Sequence, residues 1–285
     1  MTNTAPAPAA SPRVVLLDID GTLVTYDLIL PASAAAAVRE ARASGHRVYL
    51  CTGRSRAEIY PHLWDLGVDG LIGGNGSYIE DAGQVVQHQV MAPEVVAEAV
   101  GWLDAEDLGY YLECNSGLYG SPQLLERAAA AIGRPGAEGE RFVADAFPDL
   151  LPLADDLPDD VNKISFALRP GLDVDALAVR FAGRAGVDTW SATGAGPEFG
   201  EFGQLGVHKG AAIITLAAHL GVPVGEMIGV GDARSDQEMI AVCGIGVAMG
   251  NAPDDVKAAA DLVTDRVEED GLARAFRRLG LIVST

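Results

Sequence analysis

The sequence predicts a doubly wound, mostly parallel α/β fold with an α+β domain inserted into it, and three observations carry this. Short apolar, β-branched runs alternate with helical patterns at both ends of the chain, as βαβ units do. Between about residues 93 and 200 that alternation stops, and after it the pattern resumes. The first run, Val14-Val15-Leu16-Leu17, has no polar gap, as expected of a strand covered on both faces, and it delivers Asp18-Ile19-Asp20-Gly21 to its carboxyl end. Ligands of open α/β sheets bind at that edge, so any chemistry belongs there.

Taken in order, Pro31-Ala32-Ser33 opens an alanine-rich helix with Ser33 as N-cap and Gly45 as its end. Arg47 to Cys51 is the next strand. Thr52-Gly53-Arg54 follows, and Ser55 with Glu58 forms a capping box for a helix towards Gly67 that Pro61 interrupts. Leu71-Ile72 is a third strand, and Tyr78-Ile79 with Gln84 to Val90 reads as a hairpin turning at Asp81-Ala82-Gly83.

In the insertion the expected order is helix (94–107), strand (110–114), a helix capped by Ser121-Pro122, an irregular Gly/Pro/Asp-rich loop, strand (161–168), helix (174–185) and strand (187–191). The acidic run Asp155 to Asp160 reads as a solvated loop. Lys209 opens a helix ended by Gly221, the strand Met227 to Val230 leads to Gly231-Asp232, and a helix runs from Ser235 to about Cys243. The strand 246–249, a helix that Asn251 caps, the strand 261–264 and a final helix complete the chain. The expected division is 12–88 and 203–285 for the two segments of the core and 89–202 for the inserted domain.

Composition narrows the function classes. The chain has 285 residues, 49% of them hydrophobic and 21% charged, which suits a folded protein rather than a disordered one. A formal net charge of −20 repels phosphate backbones, which argues against general binding to nucleic acid or to anionic membranes. No apolar run approaches the roughly 20 residues that span a bilayer, and Met1 to Arg13 is an Ala/Pro tail without a signal-peptide core. The expected location is the cytoplasm. Cys51, Cys114 and Cys243 are odd in number and embedded in apolar segments, so buried reduced thiols are expected.

Four polar clusters fall at strand ends or helix starts of one sheet: Asp18 with Asp20, Thr52-Gly53-Arg54, Lys209, and Asp232 with Asp236. Each alone reads as a turn, a cap or a surface residue. Their convergence on one edge suits phosphoryl transfer. Asp18 is the candidate nucleophile, and Asp20, on the same face two residues on, is the candidate acid and base. Clustered carboxylates repel one another and a phosphate dianion, and Mg²⁺ is the hard cation that resolves this. Lys209 adds positive charge, and the Thr52 hydroxyl can donate to phosphoryl oxygens.

These motifs resemble those of the haloacid dehalogenase superfamily of phosphatases. Asp18-Ile19-Asp20-Gly21-Thr22-Leu23 is similar to its first motif, Thr52 with Gly53 to its second, Lys209 to its third, and Gly231-Asp232 through Asp236 to its fourth. The insertion, with Asn75-Gly76, Gly206 to Gly210 and Ala248 to Ala252, is similar to the Cof-type subgroup, in which an α+β cap covers the site. The resemblance implies Mg²⁺ on the Asp18 side chain, the Asp20 carbonyl and Asp232, with Asp236 supporting from behind. It also implies phosphate binding by Thr52, Gly53 and Lys209, with Arg54 reaching phosphate or substrate. The family commonly has a substrate-contacting Asn where this chain has Ser235. The expected activity is therefore Mg²⁺-dependent hydrolysis of small phosphorylated metabolites, sugar phosphates first. Alternatives are a phosphomutase, a weakly catalytic sugar-phosphate sensor and a small signalling receiver, the last disfavoured by the long insertion. Within the cap, Lys163 is expected on an edge strand beside Asn162, and Tyr110, Tyr111 and Trp190 in the cap core. His208 is expected to be a bystander. Neither the substrate nor the oligomeric state is legible.

Overall fold

A computed structural model describes residues 12–147, 149–191 and 196–283, so the tail before residue 12 lies outside the described residues. The first segment of the core comprises β1 (Val14–Leu17), α1 (Ala32–Ala43), β2 (Arg47–Cys51), α2 (Pro61–Trp64), β3 (Gly70–Gly73), β4 (Tyr78–Asp81) and β5 (Gln84–His88). The inserted unit follows with α3 (Pro93–Ala105), β6 (Tyr110–Cys114), β7 (Leu118–Gly120), α4 (Leu124–Ala131), α5 (Ala137–Ala146), β8 (Leu150–Pro152), β9 (Val161–Ala167), α6 (Val174–Arg180), β10 (Gly186–Trp190) and β11 (Phe199–Gly203). The core then resumes with α7 (Lys209–Leu220), β12 (Met227–Gly231), α8 (Gln237–Val242), β13 (Ile245–Ala248), α9 (Asp254–Ala259), β14 (Leu262–Val263) and α10 (Gly271–Arg278).

The core sheet has the order β14-β13-β12-β1-β2-β3-β4-β5. It is parallel from β14 to β3 and antiparallel through the β4–β5 hairpin, whose Ala82 and Gly83 both take positive φ. The unbroken apolar run of β1 is explained by its two covered faces. Val15 and Leu17 pack with Val38 of α1 and Phe276 of α10, while Val14 and Leu16 pack with Ile213 and Leu216 of α7. Strand order reverses at β1, which pairs with β2 on one side and β12 on the other, so the crevice favoured by ligands opens at their carboxyl ends.

The second sheet has the order β10-β11-β9-β6-β7-β8, antiparallel except for β7 with β8. Helices α3 and α6 cover one face through Val96, Leu103, Leu177 and Phe181 against Leu112, Phe166 and Phe202. Part of the other face packs on α4 and α5 through Leu124, Ala128 and Val143.

Several sequence expectations are corrected. The helix after Ser121-Pro122 forms as α4, but the segment between it and β9 is not all irregular loop: α5 and β8 lie in it, and β7 and β11 are also additional. The Ser55–Glu58 capping box forms, but on a 3₁₀ turn over Arg56–Glu58, and Pro61 starts a separate one-turn helix. Helix α6 ends at Arg180 rather than Ala185. Ser33 is not the cap of α1, since its hydroxyl donates to Asp270. Ser121 does not cap α4 either; it accepts the Tyr110 N–H. Lys163 is not on an edge, because β9 lies between β11 and β6, and it is buried in ion pairs with Glu113 and Glu201. All three cysteines are buried and free. Among the described residues no helix is long and apolar enough to cross a membrane.

Candidate active site

Three of the polar clusters stand where the core strands β1, β2 and β12 end, and Lys209 stands at the start of α7. The Asp18 N–H still donates to Val230 O (2.9 Å), so Asp18 continues the β1–β12 ladder by one residue. Beyond it the chain turns sharply: the N–H groups of Leu23 and Val24 both return to Ile19 O. Gly21 makes that turn at φ +83°, and a Cβ there would stand 2.3 Å from Asp232 Oδ2. Glycine is therefore required both by the backbone conformation and by the close approach of the carboxylate.

Asp18, Asp232 and Asp236 are all buried, and each offers an oxygen within 4.8 Å of the others. Lys209, at the start of α7 and fully buried, donates to Asp18 Oδ1 at 2.7 Å and to Asp236 Oδ1 at 2.5 Å. The second oxygen of Asp236 accepts the N–H groups of Asp232 and Ala233 at 3.0 and 2.9 Å. Asp236 is thus a tie between α7 and the β12 loop. Asp232 Oδ1 accepts from Thr22 Oγ1 (3.0 Å), and Oδ2 accepts from Asn251 Nδ2 (2.9 Å) and from the Tyr26 hydroxyl (2.5 Å).

One ammonium among three buried carboxylates leaves an excess of negative charge, and its effect is visible in the acidities. Burial, followed by the charge of Asp236, lifts the Asp18 carboxyl well above the usual range despite the opposing pull of Lys209. Burial pushes Asp232 up to about 6, while hydrogen bonds from Tyr26 and Thr22 pull it back. Burial opposes the charged form of Lys209, but Asp18 and Asp236 outweigh it and hold the ammonium above its ordinary value. An all-oxygen, charge-excess set of this kind suits a hard divalent cation.

Asp20 is placed apart from this trio. Arg54 forks onto it, with Nε to Oδ2 at 2.7 Å and Nη2 to Oδ1 at 2.8 Å, and the guanidinium also lies 5.1 Å over the Tyr60 ring. Thr52 is buried and its Oγ1 accepts the Arg54 N–H (3.2 Å), so its own proton is free for another acceptor. Gly53 lies against Asn75, whose Oδ1 would be 3.1 Å from a Cβ at that position. Ser235 is exposed and shares a cavity of about 410 Å³ with Lys209, Asn75, Asp188, Glu201 and Gln204 between the two units. His208 is the N-cap of α7, its Nδ1 accepting from Ala211 N.

Three residues at the site escaped sequence reasoning. Asn251 reads as a helix cap, but Pro253 takes that place, and the Asn251 side chain instead joins Gly21 O, Asp232 Oδ2 and the Val267 N–H. Its signal was the string Ala248 to Ala252. Thr22 and Tyr26 both donate to Asp232; Thr22 lies in the first motif without a role read for its hydroxyl, and Tyr26 carries no sequence signal of its own.

A family model described as haloacid dehalogenase-like hydrolase matches residues 15–276. The chain belongs to this family. Phosphatase YwpJ of Bacillus subtilis (strain 168) is 28% identical over 291 residues, covering 94% of this chain and 99% of its own. A haloacid dehalogenase-like hydrolase from Bacteroides thetaiotaomicron superimposes with a TM-score of 0.80 at 24% identity, over 94% of this chain and all of its own. The subclass IIB sugar phosphatase BT4131 superimposes with a TM-score of 0.73 at 23% identity, over 95% and 100%. This haloacid dehalogenase-type chain is accordingly a phosphatase, a hydrolase of phosphate esters, with the Rossmann-like core and α+β cap of its relatives.

Proposed function

We propose that the protein is a cytoplasmic, Mg²⁺-dependent phosphatase of small sugar-type phosphates that works through an aspartyl-phosphate on Asp18. The observation that carries this reading is the buried Lys209–Asp18 contact of 2.7 Å beside Asp232 and Asp236. It ties a candidate nucleophile to a cation that also attracts phosphoryl oxygens. Mg²⁺ would be held by Asp18, Asp232 and the Asp20 carbonyl, and when bound it supplies the positive charge that lets carboxylates and a phosphate dianion share one site.

An Asp18 oxygen attacks phosphorus and the bond from phosphorus to the leaving oxygen breaks, with Asp20 giving that oxygen a proton. Water then attacks the phosphorus of the acyl phosphate, Asp20 accepts its proton, and the Asp18 carboxylate is regenerated. Both Asp20 oxygens accept from Arg54, so one arm of the fork opens when Asp20 takes up a proton. The free Thr52 proton and Lys209 hold phosphoryl oxygens through both steps, and Asp236 keeps Lys209 in position.

The sugar-type leaving group is supported by the wall of the inter-unit cavity. Asp188, Glu201, Gln204, Asn75 and Ser235 offer acceptors and donors suited to hydroxyls, and among the described residues no Phe, Tyr or Trp lines it to stack on a flat ring. A phosphate-release screen over sugar phosphates, nucleotides, flavin mononucleotide and pyridoxal phosphate tests this, run with Mg²⁺ and with EDTA. Sugar phosphates should lead, EDTA should silence release, and Asp18→Asn should abolish it with the fold retained. Turnover by the Asp18→Asn variant or in EDTA would overturn the mechanism, and preference for a flat heterocycle the substrate class.

A further inference from the structure

The segment after the first motif folds into a small closed loop. The N–H groups of Thr25 and Leu28 pair with Ile29 O and Thr25 O, and the Ile29 N–H returns to Thr25 Oγ1. Leu28 sits at φ +61°, a conformation that L residues adopt at a cost, so the loop is shaped by its context rather than by local preference. Its apolar side chains face outward, with Tyr26 64% exposed and Ile29 62% exposed. One atom of the loop behaves otherwise: the Tyr26 hydroxyl reaches in to Asp232 Oδ2.

A carboxylate has about four lone-pair sites, two on each oxygen. On Asp232, Oδ2 already takes Asn251 and Tyr26 and is full, while Oδ1 takes Thr22. Thr22 is completely buried, and Asn251 is pinned by two further backbone contacts. Tyr26 is the exposed member of the three and sits on a loop that hydrogen-bonds to itself. It is therefore the donor that can leave without disturbing the core.

We propose that the Tyr26 hydroxyl is a latch on Asp232 Oδ2 that a divalent cation displaces when it binds through that oxygen, so that metal binding releases the loop 25–29. The proposal rests on the reading of Asp232 as a metal ligand. While the contact lasts, the latch gives a buried carboxylate a neutral donor, which limits the cost of burying its charge. On metal binding one Oδ2 lone pair changes partner, and the Tyr26-Leu28-Ile29 surface is freed beside the site entrance.

The test is Mg²⁺ titration by calorimetry, without substrate, of the wild-type chain and Tyr26→Phe, together with amide hydrogen exchange of residues 25–29 with and without Mg²⁺. Removing one hydrogen bond that competes with the metal should tighten Mg²⁺ binding about two- to tenfold. In the wild type, Mg²⁺ should speed exchange at Thr25, Leu28 and Ile29. In Tyr26→Phe these amides should exchange fast in both conditions. Equal or weaker Mg²⁺ binding by the variant, or wild-type exchange that ignores Mg²⁺, would overturn the latch alone. Absence of Mg²⁺ binding by both proteins would overturn the metal reading and the latch with it.

Discussion

Gly21→Ala probes two separable costs at the centre of the site. The first is conformational: at φ +83° an L residue pays about 1–2 kcal/mol. The second is steric. The new Cβ would stand 2.3 Å from Asp232 Oδ2 and 2.7 Å from its Cγ, about 1 Å short of an ordinary C···O contact. Asp232 must then retreat and strain its hydrogen bonds with Thr22, Tyr26 and Asn251. Gly45→Ala is the matched control, because Gly45 takes φ +90° with nothing within 4 Å of a Cβ and so pays the conformational cost alone. At about 2–4 °C per kcal/mol for a domain of this size, the control should lose a few degrees of melting temperature and Gly21→Ala visibly more. A displacement of about 1 Å in a reacting group lowers turnover roughly a hundredfold, so phosphate release by Gly21→Ala should fall on that scale while the control stays near wild type. Mg²⁺ affinity, measured by calorimetry, should weaken in Gly21→Ala only. Equal melting temperatures and equal Mg²⁺ affinities for the two variants would refute the reasoning.

Lys209→Met leaves Asp18 and Asp236 buried without their ammonium and should cost about 3–5 kcal/mol in denaturant unfolding, with turnover reduced at least about a hundredfold. Ser235→Asn places a longer amide on the cavity wall; KM should fall severalfold, while the Mg²⁺ concentration for half-maximal activity stays put. His46 is buried and its Nδ1 accepts the Arg13 N–H, which requires a neutral face on that nitrogen. Burial, aided by the charge of Arg13, holds its pKa below the ordinary 6.5. The unfolded chain therefore binds the proton more readily, and the contribution of His46 to stability is complete above about 6.5 and lost as pH falls through the lowered folded value. The decline in melting temperature from pH 6.5 to 5 should accordingly be shallower in His46→Asn than in the wild type.

The parts of the fold legible from sequence are those whose residues answer to one local rule. Strand β1 is apolar on both faces because both are covered, Asp18, Thr52 and Asp232 stand out because polar groups end such strands, and Lys209 because it opens an apolar helix. The cap was less legible where short elements depend on neighbours. Strand β8 is three residues long and mostly exposed, and it exists because Leu118 to Gly120 pair with it. Lys163 looks like a surface lysine until β11 and β6 enclose it and supply Glu201 and Glu113. At the site the same limit applies to Asn251, whose partners Gly21 and Asp232 are remote in sequence while its local context before Pro253 reads as a cap.

The pairing of β1 with β12 has a kinetic consequence. Thr22 and Asp232, which meet at the top of these strands, are 210 residues apart in sequence. Closing a loop of that length costs entropy before any contact repays it, so this junction is a high-contact-order step in folding. The inserted unit, with its own sheet and apolar clusters between Pro93 and Gly203, draws its ends together when it folds and shortens the span left to close. Damage to the cap core should therefore slow the assembly of a site whose cluster of buried carboxylates lies entirely outside the cap.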